Sequence, residues 1–221
     1  MPSSLRSQFD QSIDELTNAL SVMANRVETS VRNGVEALVS HDIDLAEKVV
    51  AEETYINDMH NNIEDSCLRL LATEQPVATD LRRIVGAISV NAQLERIGDL
   101  AVHVARVAQR IAGERYIKEL IDIPRMSREV CQMILESVRS FVEQNSVIAE
   151  EISSRDKVVD DIYSQVFREL LTYMMENPKN ISQATSLLFV AKQLERVGDH
   201  TTNICEGVIF VTTGRHVDLN R

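Results

Sequence analysis

Apolar residues recur at steps of three and four along the N-terminal stretch: Leu5, Phe9, Ile13, Leu16, Leu20, Met23, Val27, Val31, Val35, Leu38. That spacing marks one face of a helix, and it predicts a rod capped near Ser3 or Ser4 that stops around Ser40-His41-Asp42. A second stripe follows, with Leu45, Val49, Ile56, Met59, Ile63 and Leu70 inward. It predicts a helix starting at Asp42 or Asp44, reaching about Leu71, and broken by Gln75-Pro76. A third helix is predicted from Thr79 or Asp80 to near Gly113, a good terminating residue. The second half follows the same plan. Pro124 suits a first turn, and the helix it opens is predicted to reach about Ile152. A new start is predicted at Ser153-Ser154, with continuation to Met175 and a break at Asn177-Pro178. The last helix is predicted from about Ser182 to Thr213, with Gly214 behind it.

The repeat extends to the residues. Gln93-Leu94-Glu95-Arg96-Ile97-Gly98-Asp99 recurs as Gln193-Leu194-Glu195-Arg196-Val197-Gly198-Asp199, each copy in the third helix of its half and after a proline break. We read an ancient duplication: an all-α fold of two pseudo-symmetric three-helix bundles, residues 1–113 and 114–221. Helices of about 30 residues make rods of roughly 45 Å, and short loops between them imply antiparallel neighbours. Only 7 glycines and 4 prolines leave too few turn formers for an all-β fold.

Charge narrows the partners. The formal net charge is -11, which argues against nucleic acid and against docking on an anionic membrane, and suits cations as ligands. No apolar run is long enough to span a bilayer and no signal core opens the chain, so a cytoplasmic protein with no transmembrane segment is expected. Cys67, Cys131 and Cys205 are widely separated in apolar contexts and read as buried, reduced thiols.

Within the repeated motif, Glu95 and Asp99 are four residues apart and share one helix face, as do Glu195 and Asp199. Each pair repels itself until a cation neutralises it. Glu95 and Asp99 lie on the line through Leu81, Ile84, Val85 and Ile88, whose apolar character suggests a shielded groove turning acidic. In the second half Leu188, Glu195, Asp199 and Glu206 occupy the equivalent line. Arg96 and Arg196 are about 100° further around and are expected to point elsewhere. Gly98 and Gly198 suggest close helix approach. On the second helices, Asp156 and Asp160 form another acidic pair, with Glu53 and Asn57 at the matching first-half positions and His60 and Glu64 further along. An all-oxygen set of this kind favours hard cations. The rival reading of the motif acids is salt bridging to Arg82, Arg83 or Lys192. His200 faintly resembles a phospho-accepting histidine, but no phosphate-binding glycine loop accompanies it.

These residues resemble the PhoU family. The likeness rests on Glu74-Gln75-Pro76 with Asp80-Leu81-Arg82, the two Leu-Glu-Arg-(Ile/Val)-Gly-Asp copies, Asp156 through Asp160, and Asn203-Ile204-Cys205-Glu206. The resemblance implies a non-enzymatic negative regulator of the phosphate-starvation response, a homodimer linking the Pst transporter ATPase to a sensor histidine kinase. It also implies metal cations (iron, zinc, manganese, magnesium or calcium) held by Glu95, Asp99, Glu195, Asp199, Asp156, Asp160 and Glu53. Asn57 departs from the pattern and leaves the first site one charge poorer, while His103, where the second half has Asn203, could add a nitrogen ligand there. Two other functions are weighed against this. A di-metal bundle enzyme needs Glu-x-x-His pairs, and none of the 5 histidines has Glu three residues before it. A metal-independent helical adaptor would use the same acidic face on a basic protein surface.

Overall fold

The computed structural model describes residues 3–220, with side chains from Gln8 onward. The caps expected at Ser3 or Ser4 and the inward side chain expected of Leu5 therefore lie outside the described side chains. Among the described residues there are seven α-helices and no strand: α1 Ser3–Ser40, α2 Ile43–Glu74, α3 Thr79–Ile111, α4 Asp122–Val142, α5 Ser146–Ser154, α6 Asp156–Glu176 and α7 Ile181–Thr213. A single 3-10 turn, Pro178–Asn180, precedes α7.

The stripes become the core. Every member of the first stripe from Phe9 to Leu38 is buried, and Val49, Ile56, Ile63 and Leu70 are buried on α2. The helix ends are set by local chemistry. His41 takes a left-handed φ of 57°, and Asp42 then caps α2 by accepting from the Leu45 N–H at 2.9 Å. At the other end of the chain Gly214 (φ 74°) closes α7, its N–H donating to Phe210 O at 2.8 Å. The left-handed conformation required there favours glycine.

The second half departs from expectation at one place. The helix expected to reach Ile152 stops at Val142. Gln144 turns left-handed (φ 51°), and Asn145 caps α5 by accepting from the Val147 and Ile148 N–H groups, both at 3.2 Å. Ser153 and Ser154 cap nothing; their hydroxyls donate backward to Glu150 O and Glu151 O. The break at Gln144-Asn145 thus matches the one at His41-Asp42, and α5 with α6 together form the counterpart of α2.

Each half is a three-helix bundle: α1, α2 and α3 in one, α4, α5–α6 and α7 in the other. The two third helices lie antiparallel against each other, as the crossing pairs Arg82–Val211, Gln93–Asn203, His103–Gln193 and Arg110–Ser186 show. The middle pairs are related by the duplication, since 93 pairs with 203 and 103 with 193. α1 also packs on α4, where the Cys131 thiol lies 3.7 Å from Glu28 O. One continuous apolar core runs through both halves. No helix among the described residues is long and apolar enough to cross a membrane.

Candidate cation site

In the second half, α6 begins at Asp156 and runs beside α7, bringing Asp156 and Asp160 toward Glu195 and Asp199. The backbone of α7 makes room for this. A Cβ on residue 198 would overlap Asp156 Oδ1, so Gly198 lets the carboxyl rest against the helix itself. Asp156 Oδ1 is buried and has no hydrogen-bond partner among the described residues. Burial, then the charges of Asp160, Asp199 and Glu195, push its carboxyl up to about 7. Asp160 is raised by burial and by Glu195, against the opposing pull of Lys192. Asp199 is likewise raised, by burial first and then by Glu195. Lys192 is the direct counter-charge: its Nζ donates to both Glu195 oxygens, at 2.6 and 2.5 Å, beneath the Tyr163 ring. Asp160 and Asp199 also feel Lys192, with Lys157 acting on the first and Arg196 on the second, while Asp156 has acids and no cation among the groups that shift it.

The first half has the same scaffold and a different charge balance. Glu53 pairs with Arg106 at 3.4 Å. Arg96 reaches Glu95 at 3.5 Å and Asp99 at 3.7 Å. The expectation that Arg96 points elsewhere is therefore overturned, because a long flexible side chain curls back over its own turn even when its Cβ starts about 100° away. Gly98 accommodates Ile56 rather than an acid: a Cβ there would meet Ile56 Cγ2 at 3.1 Å and Cδ1 at 3.2 Å. Asn57 is exposed where the second half has Asp160. His103 faces the seam between the halves, its Nδ1 3.4 Å from Gln193 Oε1. The shielded groove expected ahead of Glu95 is also revised, since Leu81 and Val85 are exposed and only Ile84 is fully buried on that line.

Sequence reading missed two features. Arg106 occupies the place of Glu206, a difference visible by extending the repeat alignment one helical turn past His103 and Asn203. Glu206 itself is engaged, accepting from the Leu219 N–H at 2.7 Å. The second feature is the polar seam, where Gln93 Oε1 lies 2.8 Å from His200 Nδ1 and accepts from Asn203 Nδ2 at 3.2 Å. His200 belongs to that seam, and burial followed by Arg196 and Arg96 lowers its affinity for a proton. All three cysteines are buried and free; burial, then Glu206, raises the Cys205 thiol to about 12.

Among the described residues no three His, Cys, Asp or Glu side chains close up into a ready-made metal cage. The α6–α7 acids are instead a loose basin of carboxylates that raise one another's affinity for a proton. Their donor set is all oxygen, it is short of positive charge, and it includes a buried oxygen without a donor. Those properties fit a hard cation. The first-half trio of Glu53, Glu95 and Asp99 fits less well, with two guanidinium groups already against it.

Comparison with known proteins places the whole scaffold. The PhoU domain model matches residues 20–108 and again 123–208, one match in each half. The phosphate-specific transport system accessory protein PhoU homolog of Clostridium acetobutylicum is 39% identical over 216 residues, covering 97% of this chain and 99% of that protein. The Escherichia coli phosphate-specific transport system accessory protein PhoU is 32% identical over 213 residues, covering 95% and 88%. The crystal structure of PhoU from Pseudomonas aeruginosa superimposes with a TM-score of 0.89 at 35% identity, over 94% of this chain and 100% of that one. The phosphate transport regulatory protein PhoU from Streptococcus pneumoniae gives a TM-score of 0.88 at 27% identity, over 95% and 99%. The chain belongs to the PhoU family.

Proposed function

We propose that this chain is an accessory regulator of phosphate uptake that acts by binding and not by catalysis. In this reading it is a cytoplasmic homodimer that restrains the phosphate-starvation response by linking the Pst transporter ATPase to a sensor histidine kinase. The observation that carries it is the full-length match, in both halves, to proteins named as accessories of phosphate-specific transport. Deleting the gene tests it. Alkaline phosphatase made in phosphate-rich medium should rise, and unchanged expression would remove the regulatory role.

The acidic basin gives the reading a chemical handle. Asp156, Asp160, Glu195 and Asp199 would hold a hard cation between α6 and α7, where it would neutralise mutually repelling charges and tie the two helices together. Glu53, Glu95 and Asp99 would form a weaker second site, because Arg96 and Arg106 compete for them. His103 is turned toward Gln193 and is the least favoured ligand. The loose arrangement of the acids favours one alternative, in which a basic partner surface and not a metal neutralises them. Metal content of protein purified without chelators separates the two.

A further inference from the structure

The internal duplication gives each first-half position a reference in the second. The buried faces of α1 and α4 align throughout: Leu20, Met23, Val27, Val31, Val35 and Leu38 match Ile123, Met126, Val130, Ile134, Val138 and Phe141. By this alignment Ser30 stands where Met133 stands, and Val49 where Ile152 stands; all four are buried. The ion pair joining first helix to second is reversed in sign. It is Arg26 with Glu52 in the first half and Glu129 with Arg155 at 3.0 Å in the second. Arg155 also holds Glu136 at 2.6 Å. In the first half, where Ser30 and Val49 are the smaller residues, a cleft of about 460 Å³ opens between α1 and α2.

The lining of the cleft has a definite chemistry. Glu52 faces it and takes one donor of Arg26, Nη1, so that the guanidinium keeps further N–H groups for a ligand. Lys48 also faces it and makes no ion pair among the described residues. An ammonium group without a carboxylate against it is a local point of attraction for an anion, even in a chain whose overall charge is negative. Ser30 is only 4% exposed, lines the cleft, and its hydroxyl has no hydrogen-bond partner among the described residues. Thr29 and the Asn25 amide add polar groups on the same wall. Val22 on α1 and Val49 on α2 add apolar surface to the lining.

We propose that the α1–α2 cleft binds a small phosphorylated metabolite, its phosphoryl group held by Lys48, Arg26 and the Ser30 hydroxyl and its body laid against Val22 and Val49. Ammonium, guanidinium and hydroxyl donors from two helices suit the three terminal oxygens of a phosphoester better than the two of a carboxylate. The volume is that of a small-molecule site and exceeds what a bare oxyanion fills. The site lies on other helices than the acidic basin, so the two stand or fall separately.

The test is amide NMR of the full chain, titrated at constant ionic strength with adenosine 5'-monophosphate, glycerol 3-phosphate and inorganic phosphate. At least one of the two esters should give saturable shifts confined to residues 22–33 and 48–52, and inorganic phosphate should bind more weakly. Lys48→Glu, at the exposed rim, should weaken the ester about tenfold, the effect of losing one charge-assisted contact. Ser30→Met, which copies the second half, should abolish binding. If that variant does not fold, Lys48→Glu alone carries the comparison. No saturable shift from either ester, an affinity unchanged in Lys48→Glu, or inorganic phosphate binding as tightly as the esters would each overturn the proposal.

Discussion

Asp156 and Gly198 are a matched pair. A Cβ at residue 198 would meet the Asp156 carboxyl where it now rests against α7 and turn it aside, away from its place facing Glu195 and Asp199. Gly198→Ala should gain about 1 kcal/mol of helix propensity and lose a similar amount from crowding. Its melting temperature should therefore move little, while the rise in melting temperature given by added Mn²⁺ should shrink. Gly98→Ala, which meets Ile56 and no acid, should keep whatever Mn²⁺ response the wild type has; thermal melts with and without metal read both variants. The same carboxyl predicts a pH effect in metal-free protein. Its affinity for a proton is raised from an ordinary 3.8 to about 7 in the folded state, so the fold takes up the proton more tightly than the unfolded chain. Stability from this group is then complete in acid, is lost as pH rises from the unfolded value toward the folded one, and is flat above. Melts in EDTA should show wild type losing stability relative to Asp156→Asn as pH rises from about 4 to about 7. A constant difference across that window would contradict the assignment.

At the scale of elements, the interruption between α4 and α5 is the feature with the clearest energetic signature. Asn145 satisfies two N–H groups at the start of α5. Asn145→Ala should cost about 1 kcal/mol in chemical denaturation, the usual value of an N-cap. This break was not legible beforehand. Val142, Val147, Ile148 and Ile152 sustain an apolar rhythm across it, and neither glycine nor proline punctuates Glu143-Gln144-Asn145. The breaks at Gln75-Pro76 and Asn177-Pro178 were legible because proline removes a donor and clashes with the preceding turn. The inward stripes of α1 and α2 were read correctly for a similar reason, since a 3.6-residue period has only one compact solution. Spacing could place Glu95, Asp99, Glu195 and Asp199 on their helix faces. It could not say what lay across from them, because a neighbour such as Arg106 against Glu53, or Asp156 against Gly198, is fixed only when two helices meet.

At the scale of the molecule, two copies of one bundle share a core and a polar seam yet differ in charge. Gln93 with Asn203 and His103 with Gln193 preserve the symmetry at the centre. Away from it the first half turns its acids toward Arg96 and Arg106, while the second gathers four acids of which only Glu195 has a direct ion pair, with Lys192. A duplicated scaffold has thus kept its apolar stripes and let its surface electrostatics diverge, which leaves the two motif copies unequally charged. The most direct measurement is metal content by mass spectrometry of protein purified without chelators and incubated with Mn²⁺, for wild type, Glu195→Gln/Asp199→Asn and Glu95→Gln/Asp99→Asn. Loss of most of the bound metal in the Glu195/Asp199 variant, with the Glu95/Asp99 variant close to wild type, is the expected result. Equal metal content in all three proteins, or a loss confined to the Glu95/Asp99 variant, would contradict it.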